Sequence, residues 1–373
     1  MRPLEGLLVL DFSTLLPGPL ASLLLAEAGA EVIKIERPGR GEEMRHHAPA
    51  WGRDSVNFAL LNRGKKGIAL DLKDAAGRRS LQPLLERCDV LIEQFRPGVM
   101  AKLGLDYDAV AAINPRVIYC SITGYGQDGP KRDVAGHDLN YIGDTGLLGL
   151  SMGGPSQGVV PPALVADIAG GAYPAVINIL LALLERGGTG RGCRLDVAMT
   201  DNLFPLMYWA IGSGLATGRW PGNGTELLTG GGPRYHLYTT RDGGMVATAS
   251  LEQKFWETFC DLIGLEPALR DDTRDPARTA QRIAEIIAAE SADYWRGRFA
   301  GKDCCCSVVV DLRQAMSDPH FTARGLFRHV VTNEQGATLP ALPVPVDAAF
   351  RAAPGEPLAA PALGAHNGEY LAG

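Results

Sequence analysis

The sequence lacks ordered cysteine spacing. Its seven cysteines include a consecutive run at Cys304, Cys305 and Cys306, but no C-x-x-C pair and no His-rich partner segment. That argues against a zinc site, so no metal is expected. An odd, irregular count with no signal-like leader points to a reducing, cytoplasmic setting rather than a disulfide framework. Long apolar runs are also missing. The longest stretch, Ala172 to Leu184, is interrupted by Pro174 and Asn178. It is too short to span a bilayer and is expected to be a buried helix, with no membrane insertion. Excess positive charge is absent too: the net charge is −6, which argues against nucleic acid as a partner and leaves small polyanions open.

With 373 residues, 46% of them hydrophobic and 21% charged, the chain has enough apolar material for two ordered domains. Charge is polarised, with nine Lys/Arg against five Asp/Glu between residues 34 and 73. A solvated surface is the ordinary reading of such a stretch.

The N-terminal half alternates strand and helix signals. Leu7–Phe12 suits a buried strand, Leu20–Glu27 a helix closed by Gly29, and Glu31–Ile35 a second strand. The alternation continues through Gly67–Leu72, Ala75–Cys88, Asp89–Glu93, Tyr107–Ala112 and Val117–Ile122. This is an α/β pattern, a Rossmann-like doubly wound domain. Dinucleotide binding is nevertheless rejected, because the first turn reads Ser13-Thr14-Leu15-Leu16-Pro17-Gly18-Pro19 and lacks G-x-G-x-x-G.

Further on come a strand at Arg194–Met199 and an apolar helix at Leu203–Leu215. A hairpin follows over Tyr235–Ala249, turning at Arg241-Asp242-Gly243-Gly244, then helices at Glu252–Leu262 and Thr279–Arg298. The predicted organisation is a large α/β domain over 1–200, to which 332–373 returns. A linker over 201–224 and a small α+β domain over 225–331 complete it.

Among seven histidines, His137 has the most local support. It lies in Gly136-His137-Asp138-Leu139-Asn140-Tyr141, where a helix start directs backbone N–H groups toward a ligand. The same residues suit plain helix capping. Asp167, in Val165-Ala166-Asp167-Ile168-Ala169-Gly170-Gly171, is an acid among apolar and small residues. Such a group is costly to bury unless something pairs or uses it. It too suits a cap, here of the apolar helix that follows, and Glu252 is a cap candidate of the same kind.

These residues resemble the family III CoA-transferase superfamily, and within it the α-methylacyl-CoA racemase branch. The resemblance runs through Pro17-Gly18-Pro19, Glu36-Arg37-Pro38-Gly39, Asn62-Arg63-Gly64-Lys65-Lys66 and Ala69-Leu70-Asp71-Leu72-Lys73. It continues in Phe95-Arg96-Pro97-Gly98-Val99, Gly124-Tyr125-Gly126 and the two segments around His137 and Asp167. It implies an interlocked homodimer and an acyl-CoA thioester substrate, in lipid or fatty acid metabolism. CoA arrives with the substrate, so no separate cofactor is implied.

In the racemases His137 and Asp167 would be the acid/base pair for 1,1-proton transfer between 2R and 2S 2-methylacyl-CoA epimers. His137 would handle the 2S proton and Asp167 the 2R proton. The Asp138 amide would face the enolate oxygen, and Glu252 of the partner's small domain would orient His137. Arg37, Leu70, Asp71, Leu72, Lys73, Arg96, Gly136 and Tyr141 would line the CoA path. In a CoA-transferase, Asp167 would instead be the nucleophile that forms a mixed anhydride, and His137 is the residue that favours the racemase. A non-catalytic acyl-CoA-binding protein would need neither group. Of Lys65 and Lys66, either could reach a phosphate, with a solvated position expected for one.

Overall fold

Buried parallel strands should read as continuous apolar runs, and the sheet of this protein follows that rule. The computed structural model describes residues 2–150 and 159–371. It places six strands in one parallel sheet: β1 (Leu8–Asp11), β2 (Glu31–Glu36), β3 (Lys66–Ala69), β4 (Val90–Glu93), β5 (Ile118–Thr123) and β6 (Cys193–Ala198). Their spatial order is β3-β2-β1-β4-β5-β6. Every residue of β1, β4 and β5 is buried.

Helix α1 (Pro17–Glu27) begins at Pro17, not at Leu20, because proline fits the first turn of a helix. Helices α2 (Val56–Asn62), α3 (Ala75–Arg87) and α4 (Tyr107–Ile113) follow in chain order. One face of the sheet packs Leu8, Leu10, Ile33, Ile68 and Leu91 against Leu81, Leu84, Leu85 and Val110 of α3 and α4. The C-terminal tail seals the open edge of β3. His366 Nδ1 accepts the Gly67 N–H at 3.0 Å, while Asn367 accepts from Ala69 N–H at 2.8 Å and donates to its carbonyl at 3.1 Å. An uncovered edge strand would otherwise present unpaired backbone groups.

Helix α5 (Asp138–Asp144) follows β5. A π-helical turn, Ala166–Ala172, then runs directly into α6 (Tyr173–Thr189). Together they form one apolar helix of 24 residues, which meets the length and composition of a membrane span. The expectation of a buried helix is therefore corrected. Only a third of its most apolar window is covered, and Ile177, Leu180, Leu181 and Leu184 are exposed.

By internal contacts the chain forms two compact units. The first comprises 1–145, 163–206 and 319–373; the second comprises 146–162 and 207–318. Within the second, β7 (Tyr235–Thr239), β8 (Met245–Ala249) and β9 (Cys306–Val308) form an antiparallel sheet. Helices α7 (Gln253–Ile263), α8 (Pro276–Ala288) and α9 (Ala292–Phe299) bury Trp256, Phe259, Ile283, Ile287, Trp295 and Phe299 with it. The single helix expected over Thr279–Arg298 is two. Ser291 starts the second by accepting the Tyr294 N–H at 3.2 Å, the N-cap chemistry serine favours. All seven cysteines are free thiols.

Candidate active site

In an open parallel sheet, ligands sit beyond the carboxyl ends of the strands, where the strand order reverses. Here β1 leads outward one way to β2 and β3 while β4 lies on its other side, so that point falls between β1 and β4. A cavity of about 420 Å³ opens there. It is lined by Leu15 after β1, Gln94 to Pro97 after β4, Tyr125 after β5, and by Arg132, His137 and Asp167.

His137 is the N-cap residue of α5, in extended backbone. Its N–H donates to Asn140 Oδ1 at 3.0 Å and its carbonyl accepts from the Asn140 N–H at 2.8 Å. Gly136 makes room for a neighbour. A Cβ there would stand 2.7 Å from the Tyr141 ring, and one at Gly124 only 2.4 Å from it. The two glycines thus admit Tyr141, whose hydroxyl donates to the Gly136 carbonyl at 2.5 Å. Asp138 opens the helix, so its amide has no partner within the helix, and its carboxylate is buried.

Asp167 lies inside the π-helical turn and is not an N-cap; Val165 holds that position. Gly170 and Gly171 let the turn press against β6 and α1. A Cβ on Gly170 would meet the Met199 carbonyl at 2.5 Å, and one on Gly171 would meet Met199 and Pro17 at 3.1 Å. Short π segments recur at functional sites because they re-aim side chains. The Asp167 N–H donates to Asp138 Oδ1 at 2.9 Å. Burial lifts the Asp167 carboxyl to about 6; the Asp138 charge adds to the rise and His137 opposes it. A carboxyl near 6 suits proton transfer at neutral pH.

Of the CoA-path residues inferred from sequence, Arg96, Gly136 and Tyr141 line this cavity, and the others do not. Arg37 follows β2 and is exposed, its guanidinium paired with Glu43 at 3.0 Å and bonded to the Gly41 carbonyl at 2.8 Å. Leu70, Asp71, Leu72 and Lys73 follow β3 on the same edge of the sheet. Glu252 belongs to the second unit, exposed at the N-cap of α7, where its side chain makes no capping bond.

The basic stretch over 34–73 is only in part the solvated surface that composition suggests: Arg37, Arg40, Arg53 and Lys73 are exposed, but four other cations are not. Lys34 pairs with Glu42, Arg45 with Glu36 and Asp54, Arg63 with Glu27, and Lys65 with Asp11, the four cations all buried. Lys65 is neither solvated nor poised for phosphate. Its ammonium bonds Asp11, Ser22, Asn62 and the Pro19 carbonyl at 2.7–3.1 Å. Lys66 is the partly solvated one, 4.0 Å from Glu369. The buried network holds the β1–α1 turn: Glu42 accepts the Leu15 N–H at 3.2 Å, and Leu15 takes a positive φ of 62°. Nothing in the sequence pattern signalled this. Among the described residues no cluster of His, Cys, Asp and Glu is arranged to hold a metal.

The chain matches the model of CoA-transferase family III over residues 4–367. It is 32% identical over 337 residues to a human alpha-methylacyl-CoA racemase, covering 89% of this chain and 83% of that protein. It is 33% identical to a mouse succinyl-CoA:glutarate CoA-transferase, with 87% and 76% covered. A crystal structure of a CaiB/BaiF family protein from Brucella suis superposes with a TM-score of 0.83 at 28% identity, over 99% of this chain and 98% of that one. On fold, motif and full-length similarity together, the chain belongs to CoA-transferase family III.

Proposed function

We propose that the enzyme interconverts 2R and 2S 2-methylacyl-CoA thioesters by proton transfer through an enolate. The observation that carries this reading is the meeting of His137 and Asp167 in one cavity, with the Asp167 carboxyl near 6.

A C2 proton beside a thioester is only weakly acidic, so a modest base needs help from enolate stabilisation. On this reading Asp167 removes the proton of a 2R thioester and His137 delivers one to the opposite face; the 2S epimer runs the sequence backwards. The Asp138 amide donates to the enolate oxygen. CoA lies along the carboxyl edge, past Arg37 and Leu70–Lys73, and reaches the cavity beside Arg96. No separate cofactor takes part. Glu252 of a second copy orients His137, and the apolar face of α6 at Ile177, Leu180, Leu181 and Leu184 is covered in an interlocked homodimer. The enzyme works in the cytoplasm, in lipid metabolism.

A second reading is acyl transfer, in which the Asp167 carboxylate attacks the thioester. The similarity to CoA-transferases, as close as that to racemases, favours it. Incubation of one 2-methylacyl-CoA epimer in deuterated water separates the two. Racemisation gives the second epimer with deuterium at C2. Transfer gives neither, but passes CoA to an added carboxylic acid through a hydroxylamine-sensitive acyl-enzyme.

A further inference from the structure

Two guanidiniums share the cavity with the acid/base pair, and the sheet gives them different neighbours. Arg96 follows β4, the strand beside β1 at the crevice. Arg132 lies beyond it, on the β5–α5 connection, five residues before His137. Its nearest acid is its own chain neighbour Asp133, 3.7 Å from Nε and itself 80% exposed. Its terminal nitrogens bond no other described side chain. Lys131 next to it is engaged, with its ammonium 2.8 Å from Asp144 and 5.3 Å from the Tyr125 ring. The Arg132 side chain is itself 43% exposed, and the cavity it lines is mixed, with Val134, Ile122 and Met199 beside Thr123, Gln94 and Asn140.

We infer that Arg132 marks a subsite for a carboxylate at the far end of the acyl group, so that the enzyme acts on thioesters of 2-methyl dicarboxylic acids. This rests on the proposed racemase reading. With CoA entering from the β2 and β3 side, the thioester lies at His137 and Asp167, and the acyl chain continues toward β5 and Arg132. A wholly apolar chain there would strip water from the guanidinium and give nothing back. A carboxylate fits its planar fork with two charge-assisted bonds. A cavity of about 420 Å³ suits a short acyl chain.

The test compares one epimer each of 2-methylglutaryl-CoA, with its distal carboxylate free, and the matching terminal amide. The two are alike in size and differ in charge. Deuterium uptake at C2 is followed in the full-length enzyme and in Arg132→Gln. The carboxylate is expected to be favoured in kcat/KM by about tenfold or more, and that ratio falls below about threefold in Arg132→Gln, mainly through KM. Equal rates for the two thioesters in the native enzyme, or a ratio untouched by the substitution, overturn the subsite while leaving racemisation standing. No uptake with either thioester, while an unsubstituted 2-methylpentanoyl-CoA exchanges, overturns the subsite alone; no uptake with any of the three overturns the racemase reading and the subsite with it.

Discussion

The Asp138 carboxylate accepts the amide proton of Asp167 at 2.9 Å across 29 residues of chain, joining the start of α5 to the π-helical turn. One buried acid thereby fixes the backbone of another and places a negative charge beside it.

Replacing Asp138 by Asn keeps an oxygen to accept that amide but removes the charge. Asp167, His137, Tyr141 and Arg96 are the titratable groups that share this corner. Without the Asp138 charge the Asp167 carboxyl drops, so it stays ionised to lower pH. The acidic limb of the kcat/KM profile is expected to move down by about half a unit to one unit. A purely structural role would lower activity without moving the limb.

Asp167 also sets a stability slope with pH. Its folded-state value near 6 lies above the ordinary 3.8. Its contribution is therefore whole below pH 4 and is lost as pH rises through 6. Asp167→Asn, which cannot ionise, should unfold at higher urea than the native enzyme at pH 8, by about 1–2 kcal/mol after allowance for solvent. The two proteins should converge near pH 3.5.

Gly170→Ala probes the π-helical turn. In an ordinary helix interior this change adds up to about 1 kcal/mol of stability. Here the new methyl would stand 2.5 Å from the Met199 carbonyl, so a loss of about 1–3 kcal/mol is expected, with a fall in kcat as Asp167 shifts. Equal or greater stability by calorimetry would contradict the packing.

Lys65→Met tests whether that lysine is structural. It removes the ion-pair partner of buried Asp11, leaving it Lys34 nearby and the Ser13 and Ser22 hydrogen bonds, and should cost about 3 kcal/mol in denaturant unfolding. An exposed phosphate-binding lysine would cost almost nothing.

The sheet was largely legible in the sequence because buried parallel strands are apolar throughout, as in Leu7–Phe12 and Val117–Ile122. His137 and Asp167 were legible from their motif segments, and the cavity unites them. The Gly136 to Tyr141 motif was legible as a pattern but not as a cause: Gly136 makes room for Tyr141, and Asn140 holds the His137 backbone. The π-helical turn was not legible, since its small residues matter through a close approach to Met199, 29 residues away from Gly170. Nor were the buried ion pairs. Lys65 and Asp11 lie 54 residues apart, and local charge counting sees only a basic stretch. The exposed face of α6 escaped for a related reason, because composition shows that a helix is apolar and not how much of it is covered.

The central claim is that His137 and Asp167 work on opposite faces of one enolate. Its most direct test is Asp167-only chemistry in His137→Ala, given the 2R epimer in deuterated water and followed by NMR and chiral chromatography. Epimerisation should fall by about 10²–10⁴-fold while Asp167 still exchanges the C2 proton for deuterium with retained configuration. Epimerisation at the native rate, or an acyl-Asp167 anhydride cleaved by hydroxylamine to a hydroxamate with no exchange at C2, would contradict it.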